Sequence, residues 1–142
     1  MKKSQQLLSD MLKTIQISQV EIRSVLDTPM PSSLRSTLET QLKEYDAMET
    51  EAYTIALQRG WELPEVDPGR RFLKDRITRM KLNVRNPDSR IADLLIRGNT
   101  DGMIRGLKNL HQLQTQDRQV RILSQKLLDC ETAHIRQMQQ FL

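Results

Sequence analysis

Residues 32–59 contain neither glycine nor proline, and their apolar side chains recur by threes and fours. Leu34, Leu38, Leu42, Tyr45, Met48, Ala52, Ile55 and Ala56 fall on one face of a helix, and no strand period fits them. This run constrains the fold most. A helix this long needs partners of similar length to cover its apolar face. Gly60 follows it and suits the residue just past a helix C-terminus.

The rest of the chain supplies those partners. A first helix is expected over about 4–26, with Ser4 as its N-cap. Leu8, Met11, Leu12, Ile15, Ile22, Val25 and Leu26 form its apolar face. Gln19 shares that face, and Glu21 is expected to point away from it. The stretch around Pro29 and Pro31 breaks the chain before the second helix, at about 32–59. A third long helix is expected over about 87–112, with Pro87 in its first turn. A fourth, over about 117–141, carries Val120, Leu123, Leu127, Leu128, Cys130, Ile135, Met138, Phe141 and Leu142 on one face. Cys130 there reads as an inert core thiol.

Short breaks separate helices one and two, and helices three and four. About 61–86 joins the two pairs, with a loop marked by Pro64 and Asp67-Pro68-Gly69. A short helix from 70 to about 84 follows, striped by Leu73, Ile77, Met80 and Val84. Trp61 and Leu63 are expected to cover the bundle end. The expected fold is therefore all-α: a four-helix bundle of the ferritin-like kind, two helical hairpins joined by a long crossover with a short basic helix. The 142 residues fit one such domain, 1–142.

The third helix has an unusual face. Gly98, Gly102 and Gly106 recur every fourth residue, in register with Ile91, Leu95 and Leu113. Each glycine costs about 1 kcal/mol of helix stability relative to alanine. The expected compensation is close approach of another backbone, within the bundle or in a dimer. Met103, Ile104 and Leu107 lie on a second face, so this helix is expected to sit between neighbours. With Arg97, Asp101 and Arg105 interleaved, the glycine pattern does not describe a membrane helix.

Two stretches resemble a known family. They are Pro31-Ser32-Ser33-Leu34-Arg35-Ser36 through Gly60-Trp61-Glu62-Leu63, and Ile91-Ala92-Asp93-Leu94-Leu95-Ile96-Arg97-Gly98-Asn99-Thr100-Asp101-Gly102-Met103-Ile104. They are similar to segments of a family of small bacterial ferritin-like four-helix-bundle proteins. The resemblance implies a fold and brings no activity with it.

The chemistry concentrates on the fourth helix. Glu131 and His134, three apart, both fall near the centre of its apolar stripe by the helical period. Ferritin-like di-metal centres use such Glu-x-x-His pairs with carboxylates from the other helices. Spacing offers Glu49 and Asp101 as further ligands. Gln19 and Ala52 stand where a carboxylate and a histidine would complete the set. Two readings stay open: a buried polar pair bonded to Gln19, Tyr45 or each other, or a degenerate site for iron, manganese or zinc. No cofactor is expected in the first reading. His111 is expected to be exposed.

Charge is unevenly placed. Of the formal +4, residues 70–85 contribute +6: Arg70, Arg71, Lys74, Arg76, Arg79, Lys81 and Arg85 against Asp75. That segment could hold phosphate groups of nucleic acid or a membrane surface. With aromatics at 4% of the chain and no nucleic-acid motif, packing on the bundle explains it as well. No leader peptide, transmembrane run, phosphate loop or catalytic triad is recognisable. A single cysteine excludes an internal disulfide and fits a cytoplasmic setting. The expected function is a non-enzymatic bundle acting through protein contacts, as a homodimer or with a protein partner. The alternatives are the degenerate metal protein and the anionic-surface binder.

Overall fold

A computed structural model describes residues 2–63 and 87–142 of the chain. Four helices account for nearly all of them, and no strand occurs among the described residues: α1 (Lys2–Leu26), α2 (Ser32–Arg59), α3 (Pro87–Gln112) and α4 (Arg118–Gln139). The expected short helix at 70–84 and the rest of the link lie outside the described residues.

The ends follow from local chemistry. At the C-terminus of α2, Gly60 takes φ 67°, a left-handed conformation that side chains with a Cβ rarely adopt. This lets the Gly60 N–H donate to the Leu57 carbonyl and the Trp61 N–H to that of Ala56, 2.9 Å away. Both bonds define a Schellman motif. Trp61 then folds back against the core. At the start of α4, Asp117 Oδ1 accepts from the N–H groups of Gln119 (3.1 Å) and Val120 (3.3 Å). Arg59 grips the same carboxylate, with Nε 2.6 Å from Oδ2. Ser4, expected as a cap, lies inside the first turn of α1. It is buried there, and its hydroxyl bonds to that of Thr115 instead.

Buried positions on α2 run 34, 38, 41, 45, 48, 52, 55, alternating four and three. Those on α4 run 120, 124, 127, 131, 134, 138 in the same rhythm. This is the seam of helices packed side by side at a shallow angle. Helix α1 packs on α2 and α3, and α4 packs on the same two helices. Neighbours run antiparallel. Arg23 of α1 reaches Asp46, while Gln16 reaches Tyr53 further along α2. Likewise Gln41 bonds Gln137, whereas Arg59 bonds Asp117.

One core runs through the four helices, built from Leu7, Ile15, Leu34, Leu38, Met48, Ile91, Leu123 and Met138 among others. Helix α3 is less enclosed than its sequence implies: Ile104 and Leu107 are nearly half exposed. Its glycines face α1 and α4, and beyond Gly102 its other side faces solvent. No helix among the described residues is long and apolar enough to cross a membrane.

Candidate functional site

The buried stripes are not wholly apolar. Ser18 and Glu21 of α1, Tyr45 of α2, Asn99 of α3 and Glu131 and His134 of α4 lie at heptad-spaced positions, buried, along the bundle interior. Such groups need partners, because an unbonded polar group or unpaired charge in an apolar core costs several kcal/mol.

Glu131 and His134 part company here. Three residues correspond to about 300°, so the two side chains diverge by about 60° around α4. In the middle of a bundle that angle is enough to send them to different neighbours. Glu131 turns toward α3 and α1, and His134 turns toward α2.

Glu131 is completely buried, and neither carboxylate oxygen has a hydrogen-bond partner among the described residues. Burial pushes its pKa up to about 8; Arg105 opposes that shift and the nearby Glu21 adds to it. Glu21, expected on the solvent side of α1, is only 3% exposed. The face of α1 toward α3 runs 4, 7, 11, 14, 18, 21, 25, and every one of these positions is buried. Glu21 sits on that seam.

The glycines of α3 make room for these two acids. A Cβ built at Gly98 would overlap the Glu21 carboxylate, with Oε1 at 2.8 Å. At Gly102 it would overlap the Glu131 carboxylate and stand 3.1 Å from Thr14 Cγ2. Side-chain carboxylates, and not a neighbouring backbone, fill the space. Gly106 differs, since its Cβ would meet only Leu128 side-chain atoms, the nearest at 3.1 Å.

His134 is also fully buried. Its ring lies edge-on to Tyr45, with centroids 5.0 Å apart, and Nδ1 is 3.1 Å from Tyr45 Oη. The tyrosine hydroxyl donates to Asn99 Oδ1 at 3.0 Å, across the bundle. Burial holds the imidazole below its usual pKa, against a partial pull from Glu44. Burial thus favours the neutral ring, whose one N–H serves either Tyr45 Oη from Nδ1 or Glu44 Oε2 from Nε2.

Nε2 faces two further groups. Glu44 Oε2 lies 2.9 Å from Nε2, and Cys130 Sγ lies 3.2 Å from it. The thiol donates to the same Oε2 at 3.1 Å. Burial alone would raise the Glu44 pKa, but its bonds to Cys130 and His134 hold it below the usual value. Burial pushes the Cys130 thiol well up, and the Glu44 carboxylate adds to that shift. The carboxylate oxygen, the ring nitrogen and the thiol sulfur thus converge at a point where the Glu44 side chain is 42% exposed. Cys130 and His134 are four apart on α4, which places their side chains one above the other. Glu44 completes the group from the facing helix.

Of the residues singled out from sequence, Glu131 and His134 line the interior but do not share a partner. Glu49, half-buried, accepts from Gln19 at 3.3 Å and from Gln16 at 3.4 Å on the α1–α2 seam. Asp101 is exposed. Neither joins the cluster around His134. Arg70, Arg71, Lys74, Arg76, Arg79, Lys81 and Arg85 lie outside the described residues. Glu44 is not among the residues singled out from sequence; only the register of α2 on α4 brings it to Cys130 and His134. Comparison with protein families, curated proteins and solved structures finds no match for the chain.

Proposed function

We propose that this protein is a ferritin-like helical bundle that binds a transition metal of the zinc class through Glu44, Cys130 and His134. One observation carries the reading: a carboxylate oxygen, a thiol sulfur and an imidazole nitrogen lie within 4.8 Å of one another. A tetrahedral ion with bonds of about 2.1 Å spaces its ligands by about 3.4 Å. The separations here, 2.9 to 3.2 Å, need to widen by only a few tenths. The bond from Nδ1 to Tyr45 favours metal binding at Nε2, because such a partner fixes ring orientation and tautomer. Three protein ligands leave a fourth position on the solvent side, beside the half-exposed Glu44.

The ferritin-like part rests on the helix ends. Gln5 of α1 donates to the Glu62 carbonyl, so α2 ends where α1 begins. Helix α3 starts near the far end of α1, as the pairing of Gly98 with Glu21 implies. A connection along the bundle would join them, in the ferritin-like order.

The test is titration of chelator-treated protein with Zn2+ by calorimetry near pH 7.5. One ion per chain is expected, with binding lost in C130S and in H134N. Zinc bound equally well by C130S would overturn the assignment, as would none bound by the wild type. The thiol proton must leave, so affinity is expected to rise with pH.

A second reading, assembly through protein contacts, draws on exposed apolar side chains. Leu57 of α2 is 83% exposed, and Ile122 of α4 is 56% exposed. Ile122 lines the shallow groove between α2 and α4, floored by Ile55 and Leu123. Under this reading sedimentation gives a homodimer, and L57K/I122K gives a monomer.

A further inference from the structure

A second polar centre stands apart from the His134 cluster. Beneath Gly106, where α1, α3 and α4 meet, lies a cavity of about 10 Å3. Apolar side chains form much of its wall, but five oxygen-bearing side chains also reach it: Asp10, Thr14, Asn109, Ser124 and Glu131. No thiol or imidazole lines it, and Met11 brings a thioether, a soft ligand that hard cations do not favour. Glu131 is the fully buried carboxylate whose two oxygens have no hydrogen-bond partner among the described residues. Asp10 is half-buried at the outer side, and one of its oxygens already accepts from Gln6.

We propose that this cavity is a binding site for a single small divalent cation of the Mn2+ class, held by Glu131 and Asp10 with hydroxyl and amide oxygens beside them. The ligand types select the class, since carboxylate, hydroxyl and amide oxygens suit hard cations. The size narrows it. A space of about 10 Å3 accepts about one water-sized sphere, so an ion must enter without most of its hydration shell. Mg2+ sheds water reluctantly, and Ca2+ takes six to eight oxygens at longer distances. Mn2+ accepts the same ligands and fits the smaller space. Binding displaces the proton of Glu131, so affinity is expected to rise with pH; the two carboxylates then match the charge of the ion, which would answer the uncompensated burial of Glu131.

The charged and titratable groups around Glu131 are consistent with this. Glu21 of α1 and Arg105 of α3 act on its charge, Tyr45 of α2 and Cys130 of α4 feel it in turn, and Asp10 of α1 reaches the cavity. Arg105 is exposed and lies outside the cavity wall. The site shares no lining residue with Glu44, Cys130 and His134, so it stands or falls separately from the zinc-class reading.

The experiment follows Mn2+ added to chelator-treated full-length protein by electron paramagnetic resonance, which reads the aqueous ion directly. One Mn2+ per chain is expected to leave the aqueous signal. E131Q, close in shape, is expected to abolish this, and D10N to weaken it by about tenfold or more, as loss of one charged ligand does. Circular dichroism checks that E131Q is folded; D10N, at the outer edge, does not threaten the core. H134N is expected to bind Mn2+ as the wild type does. An aqueous signal undiminished by wild-type protein would overturn the proposal. So would Mn2+ binding that survives in both E131Q and D10N, or binding lost in H134N alone.

Discussion

A methyl group at Gly102 would have to displace the Glu131 carboxylate or distort α3. Overpacking of this kind costs about 1–3 kcal/mol, more than the 1 kcal/mol or so that alanine adds to a helix. G102A is therefore expected to lower stability in urea, and G98A to do the same against Glu21. G106A meets only the end of the flexible Leu128 side chain, so it is expected to be neutral or mildly stabilising. A G102A chain as stable as G106A would show that the Glu131 carboxylate does not occupy the space seen here. Glu131 also sets a pH dependence. Its folded pKa of about 8 lies above the ordinary carboxyl value, so between about pH 4.5 and 8 the folded state holds a proton that the unfolded state has lost. Stability attributable to this group is present at low pH, falls by about 1.4 kcal/mol per pH unit through that window, and levels off above pH 8. Urea midpoints from pH 6.5 to 8.5, above the range in which the lowered His134 opposes the slope, should show the decline in the wild type, and E131Q should remove it. Glu44 and Asp117, both held below their usual values, act oppositely and in acid, outside that range.

At the scale of the helices, the ends are where sequence speaks most directly. Gly60 and Asp117 act through bonds to backbone within a few residues, so a local reading finds them. Asp117 does more than cap: it is the half-buried partner of Arg59 and joins the end of α2 to the start of α4. D117A is expected to cost about 1–2 kcal/mol through loss of the cap, with the Arg59 pair adding to it. Thermal melts of D117A and D117N separate the two, since asparagine caps as well as aspartate but carries no charge. The faces are harder to read. Choosing only apolar residues for the buried arc of α1 finds Leu8, Met11, Ile15 and Ile22 and leaves out Glu21. The three-four rhythm from Ser4 to Val25 includes it whatever its polarity. Asn99 and Ser124 lie on similar seams, and counting spacing without regard to hydropathy is the signal that would have flagged them. Glu44 carries no such signal. It lies at the margin of α2, and its role depends on how α2 registers against α4, a tertiary fact. The glycines were legible as a packing feature, but not what fills them, because that needs the depth of Glu21 and Glu131.

For the molecule as a whole, the lengths and breaks along the chain specify four helices, and the antiparallel pairing of neighbours adds the arrangement. The polar residues give the bundle its asymmetry. One side of α4 sends Glu131 under the glycines of α3, and the other sends Cys130 and His134 against Glu44. The zinc-class reading places metal chemistry on the second side, and its ligands are unlike the all-oxygen set on the first. Co2+ in place of Zn2+ tests it most directly, because a cobalt–thiolate bond gives an intense near-ultraviolet charge-transfer band and tetrahedral coordination gives visible bands. The expected result is both sets of bands at one equivalent, lost in C130S and H134N and retained in E131Q. A colourless complex, or bands that survive loss of Cys130, would contradict the assignment of Glu44, Cys130 and His134 as a metal site.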